Sequence, residues 1–390
     1  MFIKQKYRIY PNKEQQSIIN QWIGSTRFIW NYMLALNIEH YKETNKFIFG
    51  YDMNNMLPKM KKQEEYRWLK KTPSQGLQQK CQDLDTALKS SFRKENKFGF
   101  PKFKSKKTDE SGIRFNDFKI IDNKLYLPKI KKGIKIIIDR DLLGKSGLIT
   151  IIKDTCNCYY VSISVNVGDL YNKVIDKKEI KSAIGIDVGI KNFLITSNGE
   201  YVDNPHFLKK QNKKLKKKQR QLSKKQNKSK NRDKARLKLA KLHKKISNQR
   251  FDFIKQNASM ITKLYDFVSV ENLNVKGMIK NHNLAQSIID VSFSSFLNEL
   301  EWQCKKRGKI FYKIDRFFPS SKTCHSCGYI TEMLRLSDRT YKCPKCGMFI
   351  DRDLNAAINI LRKGLKDNNI PLERGKLTPI RYENTLVFSE

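Results

Sequence analysis

Residues 183–200 read AIGIDVGIKNFLITSNGE. Ile184 and Ile186 lie in a short apolar run, Gly189 supplies a tight turn, and Phe193–Thr196 returns as a second strand. Asn198-Gly199 is a dipeptide that two-residue hairpin turns favour, because both central positions need positive φ. Asp187 stands at the end of the first strand, beside the turn.

An Asp at the end of a buried first strand, next to a tight hairpin, is how the RNase H-like fold of RuvC-type nucleases presents its first metal ligand. A phosphodiester undergoing hydrolysis is highly anionic, and two Mg²⁺ ions a few ångströms apart can clamp the attacking and leaving oxygens. Mg²⁺ wants hard oxygen donors, so a protein supplies carboxylates. Further along, DFVSVENL (266–273) reads as a strand ending at Glu271, followed by a helix at about 289–307 and a strand at 309–314. IDRDLNAAINIL then places Asp351 and Asp353 at the opening of a helix. Singly, each carboxylate is an ordinary strand-end or helix-cap residue. In this order, on separate elements of one β-rich domain, they form a candidate metal site. Asp351 and Asp353 both remain open as the third member.

Between the last strand and that helix stand Cys324-x2-Cys327 and Cys343-x2-Cys346, separated by 15 residues and each followed by glycine, Gly328 and Gly347. Four thiolates at this spacing match a structural Zn²⁺ site with no position left for water. His325, inside the first pair, reads as a bystander. Cys156 and Cys158 read as packing residues at the start of a strand.

Toward the N-terminus, residues 1–10 read as a strand with Ile3, Tyr7 and Ile9 on one face. Pro11-Asn12 ends it. A helix starts near Lys13, Gly24-Ser25 interrupts, and a second helix carries Phe28, Ile29, Tyr32, Met33 and Leu36. Residues 51–95 read as further helix, with Leu77, Cys81, Leu84, Leu88 and Phe92 on one face. Within 92–107, Phe98, Phe100 and Phe103 are interleaved with Lys97, Lys102, Lys104, Lys106 and Lys107. Two readings stand: rings and ammoniums meeting a nucleic-acid strand, or a solvated linker whose phenylalanines tuck into the neighbouring core. Residues 112–168 read as short strands which, with the first strand of the chain, would make a small barrel.

Charge dominates the composition. The 390 residues carry 79 Lys+Arg against 38 Asp+Glu, a net charge of +41. Such a field favours polyanions. It is concentrated at 209–250, where 20 basic residues accompany one acid, Asp233. Leu239, Leu242, Ile246 and Phe253 give that segment an apolar helical face, and 227–232 reads as the turn of a basic helical hairpin. No secretory pattern and no run near the ~20 apolar residues of a membrane span is visible. Eight cysteines in a reducing compartment point to metal or free thiols rather than disulfides. The expected place is the cytoplasm, with nucleoid association when on DNA.

GIDVGIKNFLITSNG, VSVENLNVKGM and CHSCG…YKCPKCG…DRDLNAAINIL resemble, in order and wording, the RuvC motifs and zinc ribbon of the TnpB family. These proteins are insertion-sequence OrfB products related to the smallest type V CRISPR effectors. KYRIYPNKEQ, TRFIWNYML and GFPKFKSKK extend the resemblance over nearly the whole chain. It implies an RNA-guided DNA endonuclease that binds a noncoding RNA from the element's end, reads a short flanking motif with its N-terminal lobe and cuts double-stranded target DNA in a single RuvC site. Asp187, Glu271 and Asp353 become the acids holding Mg²⁺ or Mn²⁺, two ions in all, with Asn355 following in the motif. One structural Zn²⁺ sits on Cys324, Cys327, Cys343 and Cys346. Arg339 resembles a basic residue that neutralises the scissile phosphate.

The fold expected is α+β and multidomain. A β-barrel, wedge-like domain takes 1–10 and 108–180, and a helical nucleic-acid recognition domain takes 11–107. A RuvC domain takes 181–318 and 348–363, with the basic hairpin at about 206–265; a zinc ribbon takes 319–347, and 364–390 is a tail expected to be mobile. Nucleic-acid contacts are expected at Phe98, Phe100, Lys102, Phe103, Lys104 and Lys106, and at Lys213, Lys217, Arg220 and Lys224. The protein is expected to be a monomer in its RNA complex. The rival readings are a guided DNA-binding regulator with a weak site and a transposase or transposition accessory protein; the intact carboxylate set opposes the first and the family resemblance the second.

Overall fold

The computed structural model describes residues 1–93, 99–106, 111–332, 334–335 and 338–371. The chain divides into two compact units, Met1–Gly168 and Asp169–Glu390. Phe98 and the tail from 372 fall outside the described residues. Among the described residues no helix is long and apolar enough to cross a membrane.

The first unit opens with β1 (Phe2–Tyr10), α1 (Lys13–Thr44), α2 (Gly50–Lys62) and α3 (Ser74–Phe92). Then come β2 (Ser111–Phe115), β3 (Lys119–Ile121), β4 (Lys124–Tyr126), β5 (Ile134–Ile137), β6 (Lys145–Lys153) and β7 (Tyr159–Asn166). The strands form one sheet in the order β2-β6-β7-β1-β5-β4-β3, so the first strand of the chain is central. Alternation buries Tyr7 and Ile9. It also buries Gln5, whose amide donates to the Asp141 carbonyl and accepts from the Leu143 N–H. Among the described residues the edge strands β2 and β3 do not pair with each other, so backbone hydrogen bonds leave open the sheet that the sequence predicts as a barrel.

α1 begins at a reciprocal capping box between Asn12 and Gln15. It runs unbroken through Gly24-Ser25, where an interruption is expected. A mid-helix glycine costs only about 1 kcal/mol. Here Trp22 and Ile29 are fully buried on either side, and Ser25 returns its hydroxyl to the Gln21 carbonyl and accepts from Thr72. The expected long helix over 51–95 is instead broken by a 3₁₀ segment, Glu64–Lys71, and restarts after Pro73. Leu77, Cys81, Leu84 and Leu88 are buried as expected from their spacing, whereas Phe92 is largely exposed. Cys156 and Cys158 lie in the turn before β7 rather than in it; the Asp154 carboxylate accepts from both of their amides.

The second unit contains β8 (Ala183–Val188), β9 (Asn192–Thr196), β10 (Tyr201–Asp203), α4 (Phe207–Ser223), α5 (Lys230–Leu264) and β11 (Phe267–Val270). It continues with α6 (Val275–Met278), α7 (His282–Val291), α8 (Phe293–Lys306), β12 (Ile310–Lys313), β13 (Thr340–Lys342), β14 (Phe349–Asp351) and α9 (Arg352–Asp367). Its main sheet has the order β10-β9-β8-β11-β12. The β8–β9 and β9–β10 pairs are antiparallel, and β11 is parallel to both β8 and β12. Ile184, Ile186, Val268 and Val270 share a core with Ile254, Ala258, Phe296 and Leu300.

α9 covers part of this sheet at close range. A Cβ at Gly185 would run into the Ala357 carbonyl, and one at Gly364 into the Ser269 hydroxyl. The two glycines let α9 lie directly against the strands, backbone on backbone at Gly185 and backbone on the Ser269 side chain at Gly364, and Ser269 Oγ donates to the Ile360 carbonyl at 2.9 Å. α9 runs to Asp367, with Leu365 and Ile370 buried, so 364–370 belong to the folded unit rather than to the expected tail. The same holds for 169–180, assigned by sequence to the first domain. Tyr171 packs on Trp302 at 5.6 Å between centroids, and the Ile175 N–H donates to Gly308. The single helix expected at 289–307 is two, α7 and α8, divided at Ser292 with φ 59°.

The basic segment forms the hairpin α4–α5, closed along Leu215, Leu239, Leu242 and Ile246. α4 has no side-chain cap of its own. The buried Asp290 of α7 accepts from the Leu208 and Lys209 amides at 2.9 and 3.1 Å and pairs with Arg250 of α5. One carboxylate therefore fixes both arms of a strongly cationic hairpin to the second unit.

Candidate active site and metal centre

The parallel pairing of β8 with β11 puts Ile186 opposite Val270. Asp187, the next residue of β8, is still paired with Ile195 of β9, and Glu271 directly follows the last residue of β11. α9, held against β8, brings in Asp353 from its first turn. The three carboxylates keep partial solvent access. Desolvation raises the pKa of Asp187 well above the usual carboxylate range; the Glu271 and Asp353 charges raise it further, while Arg352 and the Val188 N–H pull it back. Desolvation likewise raises Glu271. Asp353 is raised by desolvation and by Asp351, and lowered by Arg339, Arg352 and Lys191. Glu271 and Asp353 thus oppose the ionisation of Asp187, and Arg352, Arg339 and Lys191 offset part of the acidic charge.

Asp351 and Asp353, open alternatives in the sequence, are separated by the helix start. Asp351 is the N-cap of α9, and one of its oxygens accepts from the Asp353 and Leu354 amides at 2.9 and 3.0 Å. Asp353 is the residue whose charge reaches Asp187. Arg339 lies near enough to favour ionised Asp353, and its carbonyl accepts from the Arg352 N–H at 2.8 Å. Lys191, in the β8–β9 turn, and Tyr201, on β10, were not singled out by sequence. Lys191 favours ionised Asp353. Tyr201 is raised by desolvation and by the charges of Asp351 and Asp353, and it hydrogen-bonds Asp351. Nothing in their local sequence marks either residue; only the hairpin geometry brings them here.

The sulfur atoms of Cys324, Cys327, Cys343 and Cys346 all lie within 4.8 Å of one another, among the described residues the only group of three or more His, Cys, Asp or Glu to do so. The two pairs are built alike. Gly328 and Gly347 adopt φ +75° and +73°, and each donates its N–H to the carbonyl of the first cysteine of its pair. Desolvation raises the Cys343 thiol, but the backbone N–H groups of Cys346 and Lys345 and the hydrogen bonds with the Cys346 and Cys327 thiols outweigh it and bring the pKa to about 6, while the same thiol contacts push Cys346 up to about 12. Four sulfurs converging on a point can hold a metal ion. His325 stands outside the sulfur cluster, as expected, and its backbone N–H and ring Nδ1 both meet Asn355 Oδ1 on α9 at 3.1 Å.

The expected nucleic-acid residues divide between the units. In the first, the Lys102 carbonyl accepts from the Trp30 indole, Lys104 exchanges backbone bonds with the Asn31 amide, and Lys104 Nζ lies 3.6 Å from the Trp30 ring centroid. Phe103 is 57% exposed, Phe100 is 42% exposed and packs 6.2 Å between centroids from Phe47 at the edge of the helical core, and Lys106 is exposed. In the second, Lys213, Lys217 and Arg220 follow helical spacing on α4, Lys224 is its C-cap, and with Lys216 and Gln221 they line one shallow concavity of about 500 Å³.

Three family models match the chain. One described as "Probable transposase" (OrfB of IS605) covers 162–282, one described as "Cas12f1-like, TNB domain" covers 293–360, and one described as "Helix-turn-helix domain" covers 1–46. In this chain that last span is a strand followed by one uninterrupted helix. A "Putative RNA-guided DNA endonuclease" of Streptomyces pristinaespiralis is 31% identical over 92% of this chain and 89% of the relative. The "Putative RNA-guided DNA endonuclease InsQ" of Escherichia coli K12 is 28% identical over 92% and 91%. The "TnpB-like protein L79" of Acanthamoeba polyphaga mimivirus is 24% identical over 93% and 73%. Among solved structures, the Cas12f1 chain of a Cas12f1–sgRNA–target DNA complex superposes with a TM-score of 0.53 at 16% identity, covering 90% of this chain and 83% of that one.

Proposed function

Because the chain belongs to the TnpB family, as its 31% identity to a relative over 92% of its length establishes, we propose that it is an RNA-guided DNA endonuclease of an insertion element, with one acidic site of RuvC type. The observation that carries the reading is the meeting of Asp187, Glu271 and Asp353 from two parallel strands and one helix. The order β10-β9-β8-β11-β12 supports an RNase H-like sheet. Its partners are a guide RNA from the element's end and double-stranded DNA, and it acts as a monomer in the RNA complex.

The donor sets fit the expected ions. Three carboxylates offer hard oxygens and repel one another, which suits two Mg²⁺ or Mn²⁺ ions. Four thiolates suit one structural Zn²⁺. When bound, the divalent ions supply positive charge to the reacting phosphate and lower the pKa of water.

The chain's own groups do the rest. Asp187, Glu271 and Asp353 hold the ions, Asp351 keeps the first turn of α9 formed, and Arg339 neutralises the scissile phosphate. The cationic row on α4 and the pinned segment 99–106 hold nucleic-acid backbone, while exposed Phe100 and Phe103 offer stacking faces. Hydrolysis adds water across the P–O3′ bond and leaves a 5′-phosphate and a 3′-hydroxyl.

The test begins with the protein expressed beside its own flanking DNA. Sequencing of the copurified RNA should give one discrete species ending in sequence from outside the element. That RNA should then direct Mg²⁺-dependent cutting of a matching duplex. Only heterogeneous host RNA, or no cutting by a defined complex in Mg²⁺ or Mn²⁺, would refute guided cleavage.

A further inference from the structure

Asn355 and Asn359 sit one turn apart on α9 and are 0% and 4% exposed. Amides this deeply buried are costly unless their hydrogen bonds are made, and theirs are made to the cysteine-bearing insertion. Asn355 Nδ2 donates to the Thr323 carbonyl at 2.7 Å, while its Oδ1 accepts from the His325 N–H at 3.1 Å. Asn359 Nδ2 donates to the Ser320 and Thr323 carbonyls at 2.8 and 2.6 Å. Thr323 and His325 bracket Cys324, so these bonds land on the first cysteine knuckle. On the other side of Asp353, β14, which pairs with β13 of the insertion and extends the ribbon past its expected end at 347, runs directly into α9, and Arg352 donates to the Arg335 carbonyl at 2.9 Å. Asp353 therefore sits between two attachments of the same insertion. Aliphatic side chains would pack this face without fixing its register; directional amides fix it.

We propose that Asn355 and Asn359 are positioning residues that lock the first cysteine knuckle to α9 and so hold Asp353 beside Asp187, making divalent-ion affinity at the carboxylates depend on the insertion. The inference rests on reading those carboxylates as the divalent-ion site, and its test separates the two.

Mn²⁺ binding to the full chain is measured by electron paramagnetic resonance for wild type and for Asn355→Ala, Asn359→Ala, His325→Ala and Asp353→Ala, with zinc content and amide exchange at 352–356 followed in parallel. Asn355→Ala should keep its zinc, exchange faster in that turn and bind Mn²⁺ about tenfold more weakly, the scale of lost outer-shell support. His325→Ala, which keeps the backbone N–H, should show a smaller loss of the same kind. Cleavage by Asn355→Ala should recover in excess Mg²⁺, a shift in half-saturation that a general loss of fold would not give. Wild-type Mn²⁺ affinity in a folded Asn355→Ala protein, or weakening that appears only where zinc is lost, overturns the inference. If Asn355→Ala does not fold, unchanged affinity in both Asn359→Ala and His325→Ala overturns it. Unchanged Mn²⁺ binding in Asp353→Ala instead overturns the reading of the carboxylates.

Discussion

The carboxylate site and the cysteine cluster are both candidate metal centres, yet they are assembled in opposite ways. Each cysteine pair is made by a turn: cysteines with two residues between them are brought together by a knuckle with a left-handed glycine. The carboxylates lie at residues 187, 271 and 353 and meet only because β8 and β11 run parallel in register and α9 lies on the sheet. The cluster can form wherever its short segment folds, whereas the acidic site needs the whole second unit. Loss of a ligand should therefore cost function without fold at the carboxylates, and local fold first at the cysteines.

The largest expected effect is at the carboxylates. Asp187→Ala or Glu271→Ala should lower the cleavage rate by on the order of 10⁴-fold, as removal of one member of a cooperating set does. Their circular dichroism and melting should match wild type or improve on it, since each change removes an anion from a self-repelling group. Retained cutting by either variant would break the assignment.

Cys343→Ser tests the other side. It should lose bound zinc, measured by elemental analysis, and lower the first melting transition of the second unit, because metal-binding free energy at such sites is folding free energy. Tyr341 is fully buried in the cluster's own small core, with its hydroxyl among Thr331, Lys322 and Tyr329. Part of the insertion should therefore stay collapsed. Absence of zinc from the wild-type protein would remove the distinction between the two centres.

The same contrast governs what could be read from sequence. The cysteine spacing, the strand before Asp187 and the hairpin over 206–265 depend on neighbours within a turn or two, and periodicity exposes them. Asp290 accepting from the amide of Leu208, 82 residues earlier, at the start of α4 has no local signature. Neither have the Asn355 and Asn359 bonds to the insertion, or the glycines that admit α9 to the sheet. Gly24-Ser25 misled for the converse reason: a local breaker was overruled by burial of Trp22 and Ile29 on the flanking turns. Spacing alone left Asp351 and Asp353 open and only the family motif pointed to Asp353; that an Asp351 oxygen is committed to two backbone amides has no signature short of the helix start itself.

A smaller effect should appear in stability against pH. The folded-state pKa values of Asp187, Glu271 and Asp353 are all raised. Protonated carboxyls are thus favoured by folding, and that stability is full below the ordinary values of 3.8 and 4.5 and is lost as pH rises through the raised ones. In EDTA, the melting temperature of wild type should therefore fall relative to Asp187→Asn as pH rises above the ordinary carboxylate range. Mg²⁺ or Mn²⁺ should close the gap by stabilising wild type. Parallel pH profiles of the two proteins in EDTA would mean that neither burial nor the neighbouring acids raise Asp187.

The smallest expected effect separates the two aspartates of the α9 start. Asp351→Ala removes an N-cap and should cost about 1 kcal/mol of stability. It also removes the charge that raises Asp353, so the acidic limb of the cleavage pH profile should move to lower pH. Asp351→Asn isolates the second effect, because asparagine caps about as well as aspartate but carries no charge. It should melt like wild type and still shift the pH limb. Activity would survive both changes, whereas Asp353→Ala would abolish it. If Asp351→Asn instead eliminated cutting with its helix intact, the third acid would be Asp351, and the division of labour between cap and ligand would have to be reversed.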